Sequence, residues 1–313
     1  MRWKGSVMSE KTVIVGDLNE TNMISTIVSF ADDGSGYSMP EVIKVTPGFK
    51  KGIEYVLPTF VRQVRNAIRR GRHQNIVGIA LASAGEVDPK TGKVLSANSS
   101  MPGWAGINLK EEFEREFDLP VSVISEIHAS VLGEDRWGES RDKNDSLVVN
   151  VATDIVGAYL KGGLIQLGMD QVDHLGKAEV DGVRLETVAT VPAIIDHYGD
   201  IGGDRVFGHD KRRPRGYAMT PAEMCKRSTQ GGEALAIEAL RWGGLPLGKA
   251  IAALDLGVDE VVITGADVVE FGPVWADAVR EGLGGSIKVS VASHRDHATL
   301  VGTAENLLRP AFA

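Results

Sequence analysis

Val121-Ser-Val-Ile-Ser-Glu-Ile-His-Ala-Ser-Val-Leu-Gly-Glu134 begins as a strand and ends as a helix. Val121, Val123 and Ile124 are β-branched and follow Leu119-Pro120, the pattern of a short buried strand. Ala129, Val131 and Leu132 then supply an apolar face compatible with a helix. At the hinge stand three polar side chains, Ser125, Glu126 and His128. In α/β sheets ligands bind beyond the carboxyl ends of strands, so this hinge is a candidate site and Glu126 its candidate reactive group. A glutamate in a first helical turn also suits the positive end of the helix dipole and needs no ligand there.

Upstream, Thr12-Val-Ile-Val-Gly-Asp17 reads as a buried strand and residues 22–30 are β-rich, which predicts a hairpin around Asp17-Leu-Asn-Glu-Thr-Asn22. Residues 52–70 carry apolar side chains near helical spacing, with Pro58 in the first turns and a basic, solvated end. Ile76-Val-Gly-Ile-Ala-Leu-Ala82 is a further strand, Met101-Pro-Gly-Trp104 a tight loop, and Asn108 the N-cap of a helix reaching residue 117. Downstream, residues 146–152 and 155–160 predict a second hairpin. Residues 185–198 read as partly helical despite Pro192. The glycine-rich and basic segment 199–215, with Lys211-Arg-Arg-Pro-Arg215, reads as a solvated surface loop. Thr220-Pro-Ala-Glu223 opens a helix with an N-cap and a capping-box glutamate. A helix over 233–254, a strand over 258–264, a helix over 273–283, a strand over 287–292 and a helix over 298–308 complete the chain. A hairpin early in each half followed by strand–helix alternation predicts two related α/β lobes.

The chain has 313 residues, 43% of them hydrophobic and 24% charged, the make-up of an ordinary globular protein. Its net charge of −8 gives no reason to expect general affinity for nucleic acid or an acidic membrane. Cys225 is the sole cysteine, so no internal disulfide can form, which suits a reducing compartment. Met1-Arg-Trp-Lys-Gly-Ser lacks the apolar core of a signal peptide, and no apolar run reaches the roughly 20 residues needed to span a bilayer. A cytoplasmic location is expected.

Five collinear stretches resemble the ROK family of sugar kinases, whose members include glucokinases and N-acetylmannosamine kinases, within the actin, hexokinase and Hsp70 fold. Residues 78–95 are similar to the family's G-I-G-x-P-G-x-V-D-x-x-x-G-x-V, and Met101-Pro-Gly-Trp104 to its N-x-P-G-W loop. The hinge resembles V-x-V-E-N-D-A-N-A-A-A-L-G-E, with Leu132-Gly-Glu134 and Trp137-Gly138 intact. Val261-Val-Ile-Thr-Gly265 is like V-I-x-G-G, and Leu300-Val-Gly-Thr-Ala304 like the terminal L-x-G-A-A helix. The resemblance implies a two-lobed, ribonuclease H-like α/β kinase fold. The small lobe would comprise residues 1–122 with the C-terminal helix 298–313, and the large lobe 123–297. It also implies ATP-dependent phosphorylation of a sugar hydroxyl in a cleft between lobes, with Mg²⁺ neutralising charge and a carboxylate as base. Homodimers are common in the family, and a homodimer is expected here.

Carried over residue by residue, the resemblance implies Glu126 as base, where the family has aspartate, and Asp17 on Mg²⁺ through water. Thr21, Thr153 and Gly157 would meet phosphate, and Gly265 would lie near adenosine. Gly85, Gly103, Trp104, Ser125, His174 and Glu186 would surround the acceptor, His174 having an ordinary structural role as the alternative. The departures are as informative. Asn19 and Glu20 replace the glycines of D-x-G-G-T-K, and Asp154 enters the second phosphate loop. The zinc-binding histidine and cysteines of the family reduce to His174, so no structural zinc is expected. Three functions follow for comparison. One is a kinase for an unusual sugar, amino sugar or sugar-like cyclitol, its partner a small polyol and not nucleic acid or membrane. A second is a catalytically silent relative that binds a sugar or a partner protein. The third, a DNA-binding repressor, needs a helix-turn-helix module before the first phosphate loop, and the short tail before Thr12 argues against it.

Overall fold

The computed structural model describes residues 10–141, 143–203, 206–207, 217–265, 267–285, 287–292 and 296–312. The basic run 211–215 and the N-terminal stretch 1–6 lie outside them. The chain divides into two units, Met1–Gly133 with His297–Ala311, and Glu134–Asp296 with Phe312–Ala313. The division thus falls after residue 133 rather than after 122, inside the helix that follows the hinge.

The first unit is built on a six-stranded sheet. Its strands are β1 (Lys11–Leu18), β2 (Met23–Phe30), β3 (Tyr37–Ser38), β4 (Val42–Val45), β5 (Ile76–Ser83) and, after the separate hairpin β6 (Glu86–Asp88) and β7 (Lys93–Ser96), β8 (Val121–Ser125). Neighbours run β3-β2-β1-β5-β8, with β4 also on β2. The β1–β2 pair is the antiparallel hairpin expected from the sequence, closing at Leu18 and Met23, while β1, β5 and β8 are parallel. Seven of the eight β1 residues are buried, the near-continuous apolar run of a strand covered on both faces.

The helix α1 (Ile53–Arg70) covers this sheet with Val56, Phe60, Val64 and Ala67, residues at helical spacing. Pro58 sits inside the helix but on its exposed side, where a carbonyl that loses its partner can turn to water. Gly16 lets the helix approach: a Cβ there would lie 2.9 Å from the Phe60 ring and from Leu81. The helix α2 (Leu109–Glu116) starts on Asn108, whose side chain accepts from the Glu111 amide. The helix α3 (Glu126–Trp137) packs tightly on the C-terminal helix Asp296–Leu308. A Cβ on Gly133 or Gly302 would come within 1.9 Å of a carbonyl oxygen of the other helix.

The second unit repeats the plan. Strands β9 (Asp145–Val151), β10 (Ile155–Lys161) and β11 (Leu164–Ile165) are antiparallel, and Glu260–Thr264 and Lys288–Val291 extend the sheet in parallel from β9. The helices Val191–Asp200, Pro221–Thr229, Ala234–Ala253 and Pro273–Leu283 supply the core that packs against it. Thr190 and Thr220 cap the first two, each with proline in the first turn. Among the elements that the local sequence pattern does not reveal are the short strands β3 and β4 and the β6–β7 hairpin.

Candidate functional site

In the first unit, register places the site. Leu18 pairs with Ser83 across β1 and β5, and Ser83 pairs with Ser125 across β5 and β8. Asn19, Ala84 and Glu126 are therefore the next residues after three parallel strands that end in one row. The Ala84 amide donates to the Leu18 carbonyl at 2.9 Å, holding the row together. Asp17, one residue earlier on β1, is 3% exposed.

Glu126 is half-buried and heads α3. The Asn19 side-chain amide donates to its Oε1 at 2.7 Å, joining residues 107 positions apart. The Asn19 Oδ1 accepts from the Thr21 amide at 3.1 Å, the Thr21 hydroxyl at 3.0 Å and the Asn22 amide at 2.8 Å. One asparagine thus closes the hairpin turn and grips the carboxylate. Thr21, expected at phosphate, has its hydroxyl donated to Asn19 here. Glu20 receives the Asn98 side-chain amide at 3.5 Å. Asn98 in turn orders the approach to the Met101-Pro-Gly-Trp104 loop by accepting from the Ser100 amide at 2.9 Å.

Beside Glu126, the Ser125 hydroxyl and His128 Nδ1 lie 2.7 Å apart, both residues buried. Burial pushes the His128 imidazole down to about 4 because its cation would lose water. The ring is therefore neutral near pH 7, and the pair closes the first turn of α3. Trp104 is fully buried and donates its indole N–H to the Ser83 hydroxyl at 2.8 Å, with Phe49 edge-on against its ring. It supports the row of strand ends from within the core and presents no surface of its own. Gly85 and Gly103 are exposed, with φ of 86° and 76°. At Gly85 a side chain would also strike the Ser96 carbonyl oxygen at 2.1 Å.

The second unit has its own row. Thr264 pairs with Asn150, which sets Gly265 beside Val151 at the start of the β9–β10 turn. Gly265 has φ of 129°, and a Cβ there would stand 2.2 Å from the Val151 carbonyl oxygen. The turn closes through backbone, with the Ala152 amide on the Asp154 carbonyl at 3.0 Å, and Thr153 is exposed at its tip. Gly157 is buried on β10 against Val172. Glu186 opens a short helix and pairs with Arg184 at 2.9 Å. His174 is exposed, 3.7 Å from Asp170. Between them Gly176 approaches Glu186: a Cβ on it would lie 3.3 Å from Oε2. Among the described residues no three His, Cys, Asp or Glu side chains converge to hold a metal ion, and no helix is long and apolar enough to cross a membrane. Asn19, Ser83 and Asn98 were not singled out as site residues in the sequence. Their partners lie far along the chain, where spacing carries no signal.

Two sheets of this kind, each opened by a hairpin and continued by parallel strands, form the actin/hexokinase-like fold of sugar kinases. The ROK family profile matches residues 45–309, and the chain belongs to the ROK family. A DNA-binding transcriptional dual regulator of Escherichia coli, NagC, is 26% identical over 256 residues, 78% of this chain and 59% of its own length. A β-glucoside kinase of Listeria innocua is 31% identical over 94 residues, 30% of this chain and 32% of its own. The chain spans about half the length of curated relatives it matches, 50% in one case. A ROK glucokinase from Streptomyces griseus, solved with glucose and AMPPNP, superposes with a TM-score of 0.68 at 19% identity. It covers 94% of this chain and 98% of that one. Sugar kinases and a transcriptional regulator thus both stand among the relatives.

Proposed function

We propose that this ROK protein transfers a phosphoryl group from Mg-ATP to a hydroxyl of a sugar, amino sugar or sugar-like cyclitol, with Glu126 as general base. The observation that carries this is the placement of Glu126: a half-buried carboxylate at the end of a parallel strand, held by the turn that follows β1. Glu126 takes the proton of the attacking hydroxyl. The acceptor oxygen bonds the γ-phosphorus, the bond to the bridging oxygen breaks, and ADP leaves. Asp17 would hold Mg²⁺ through water, and the ion would neutralise charge on the phosphates. Thr153, Gly157 and Gly265 serve the nucleotide, and Gly265 fits the task because no side chain can stand between it and the Val151 carbonyl. Thr21 reaches phosphate once its hydroxyl leaves Asn19. In the first unit Gly85, Gly103 and Ser125 serve the acceptor, with Trp104 supporting that row of strand ends from the core; in the second unit His174 and Glu186 are the candidate acceptor contacts. The protein works in the cytoplasm as a homodimer, on a small polyol and without zinc.

A second reading, a catalytically silent sugar- or partner-binding relative, is favoured by the same turn. Asn19 and Glu20 put two side chains where close backbone approach to phosphate wants glycine, and Glu20 adds negative charge. Calorimetry separates the two. The kinase reading expects Mg-ATP to bind and at least one member of a panel of sugars, amino sugars and cyclitols to bind with it. Binding of a polyol with no measurable Mg-ATP binding would overturn it and leave the silent reading.

A further inference from the structure

We propose that Asn19 is a positioning residue for Glu126, holding the base through a hydrogen bond made by the turn that lies on the phosphate side. This rests on the phosphotransferase reading. The orientation of the Asn19 amide is fixed from both ends. Three donors, the Thr21 and Asn22 amides and the Thr21 hydroxyl, converge on Oδ1 at 2.8 to 3.1 Å and require an oxygen there. The remaining atom, Nδ2, then faces Glu126 Oε1 at 2.7 Å, where an ionised carboxylate can only accept. Neither contact survives a flip of the amide, so each enforces the other.

A donor to a carboxylate makes one of the stronger hydrogen bonds in a protein and fixes the plane of the acceptor group. Glu126 has one more methylene, and one more torsion, than the aspartate expected at its position, so its oxygens need such a restraint. A misplacement of about 1 Å costs on the order of a hundredfold in rate. Glycine at 19 could not supply the contact. The asparagine that replaces it accompanies the longer base, and the two residues form one device linking the phosphate turn to proton removal.

Asn19→Asp is the variant that separates this role from turn closure. Aspartate keeps an oxygen for the three turn donors but offers Glu126 a second carboxylate in place of a donor. The expected result is a fall of about 10- to 100-fold in kcat and in kcat/KM alike, with the acceptor KM little changed. In a Glu126→Gln background, which has no base left to position, the same substitution is expected to cost no further rate. An equal fractional loss in both backgrounds, or no loss in either, would overturn the positioning role. A readout independent of turnover is the Asn19 side-chain amide resonance. It should be shifted and protected from exchange in the wild-type protein and should revert to solvent-like values in Glu126→Ala. An unchanged resonance in Glu126→Ala would show that the contact does not exist in solution and would end the proposal whatever the activity. A protected resonance together with no phosphorylation of any acceptor would instead bring down the phosphotransferase reading, and the positioning role with it.

Discussion

The two hairpin turns of this molecule occupy equivalent places and each is closed by a backbone hydrogen bond, to which the first adds a set of bonds from the Asn19 side chain. In the first unit the β1–β2 turn has the Asn19 amide on the Asn22 carbonyl at 2.9 Å and side-chain ties besides: the Asn19 side chain takes three donors from its own turn and gives one to Glu126. In the second unit the β9–β10 turn is closed by backbone, Ala152 to Asp154, with Thr153 exposed at its tip and glycine at 265 alongside. A turn held by side chains has a fixed geometry and is poised to orient another group. A turn whose tip residue is exposed, as Thr153 is, offers that side chain to a ligand. The proposed kinase reading gives proton transfer to Glu126 in the first unit and nucleotide contacts to Thr153 and Gly265 in the second, and each proposal can be broken separately.

The largest effect is expected at Glu126. Glu126→Gln keeps an acceptor for Asn19 but removes the base, and kcat should fall by about 10²- to 10⁴-fold, the usual worth of general-base catalysis. Steady-state kinetics with saturating acceptor measure it, and a loss below about threefold would mean that proton removal does not depend on this carboxylate. Next comes Gly265→Ala. A φ of 129° is nearly closed to residues with a side chain, and the added carbon would press on the Val151 carbonyl at 2.2 Å. Strain and overpacking together are expected to cost about 4 kcal/mol, read as a lower denaturation midpoint. A neutral outcome would show that the second turn does not depend on this close approach.

The fold was far more legible in the sequence than the contacts that join its parts. Both hairpins were marked by β-rich runs around polar turns, and the capped helix starts at Asn108 and Thr220 follow rules of local chemistry. The helix over 273–283 begins and ends where proline and glycine place it. By contrast β3 and β4 are edge pieces stabilised by pairing with β2, which no local period reveals. Trp104, read as an acceptor neighbour from its loop, turns out to be wholly buried, because its ring completes a core assembled from distant segments. The Asn19–Glu126 bond is of the same kind. Each residue was visible as an oddity, a glycine replaced and a carboxylate lengthened, but their meeting depends on the register of three strands.

A smaller effect concerns acid. His128 has a folded value near 4 against an ordinary 6.5, because burial opposes its charge. Between these values the unfolded chain binds the proton and the folded one does not, so stability is complete above pH 6.5 and is lost as pH falls towards 4. The loss is on the order of 3 kcal/mol. Denaturation midpoints measured across that window should fall, and His128→Asn should flatten the dependence. An unchanged slope in the variant would place the acid sensitivity elsewhere. The smallest effect compares the two threonines. Removing a hydroxyl that contacts phosphate is expected to cost about 1 kcal/mol, some fivefold in the KM for ATP. Thr153→Ala should show it in full, whereas Thr21→Ala, whose hydroxyl must first leave Asn19, should show less. The reverse order would mean that the first turn, not the second, reads the nucleotide.

The most direct test of the whole account is mass spectrometry of a pooled panel of sugars, amino sugars and cyclitols incubated with Mg-ATP and the purified protein. The account predicts that at least one polyol gains a single phosphoryl group with the wild-type protein, and that this product is strongly depleted with Glu126→Gln folded to the same melting temperature. No phosphorylated product from the wild type, or equal product from both proteins, would contradict it.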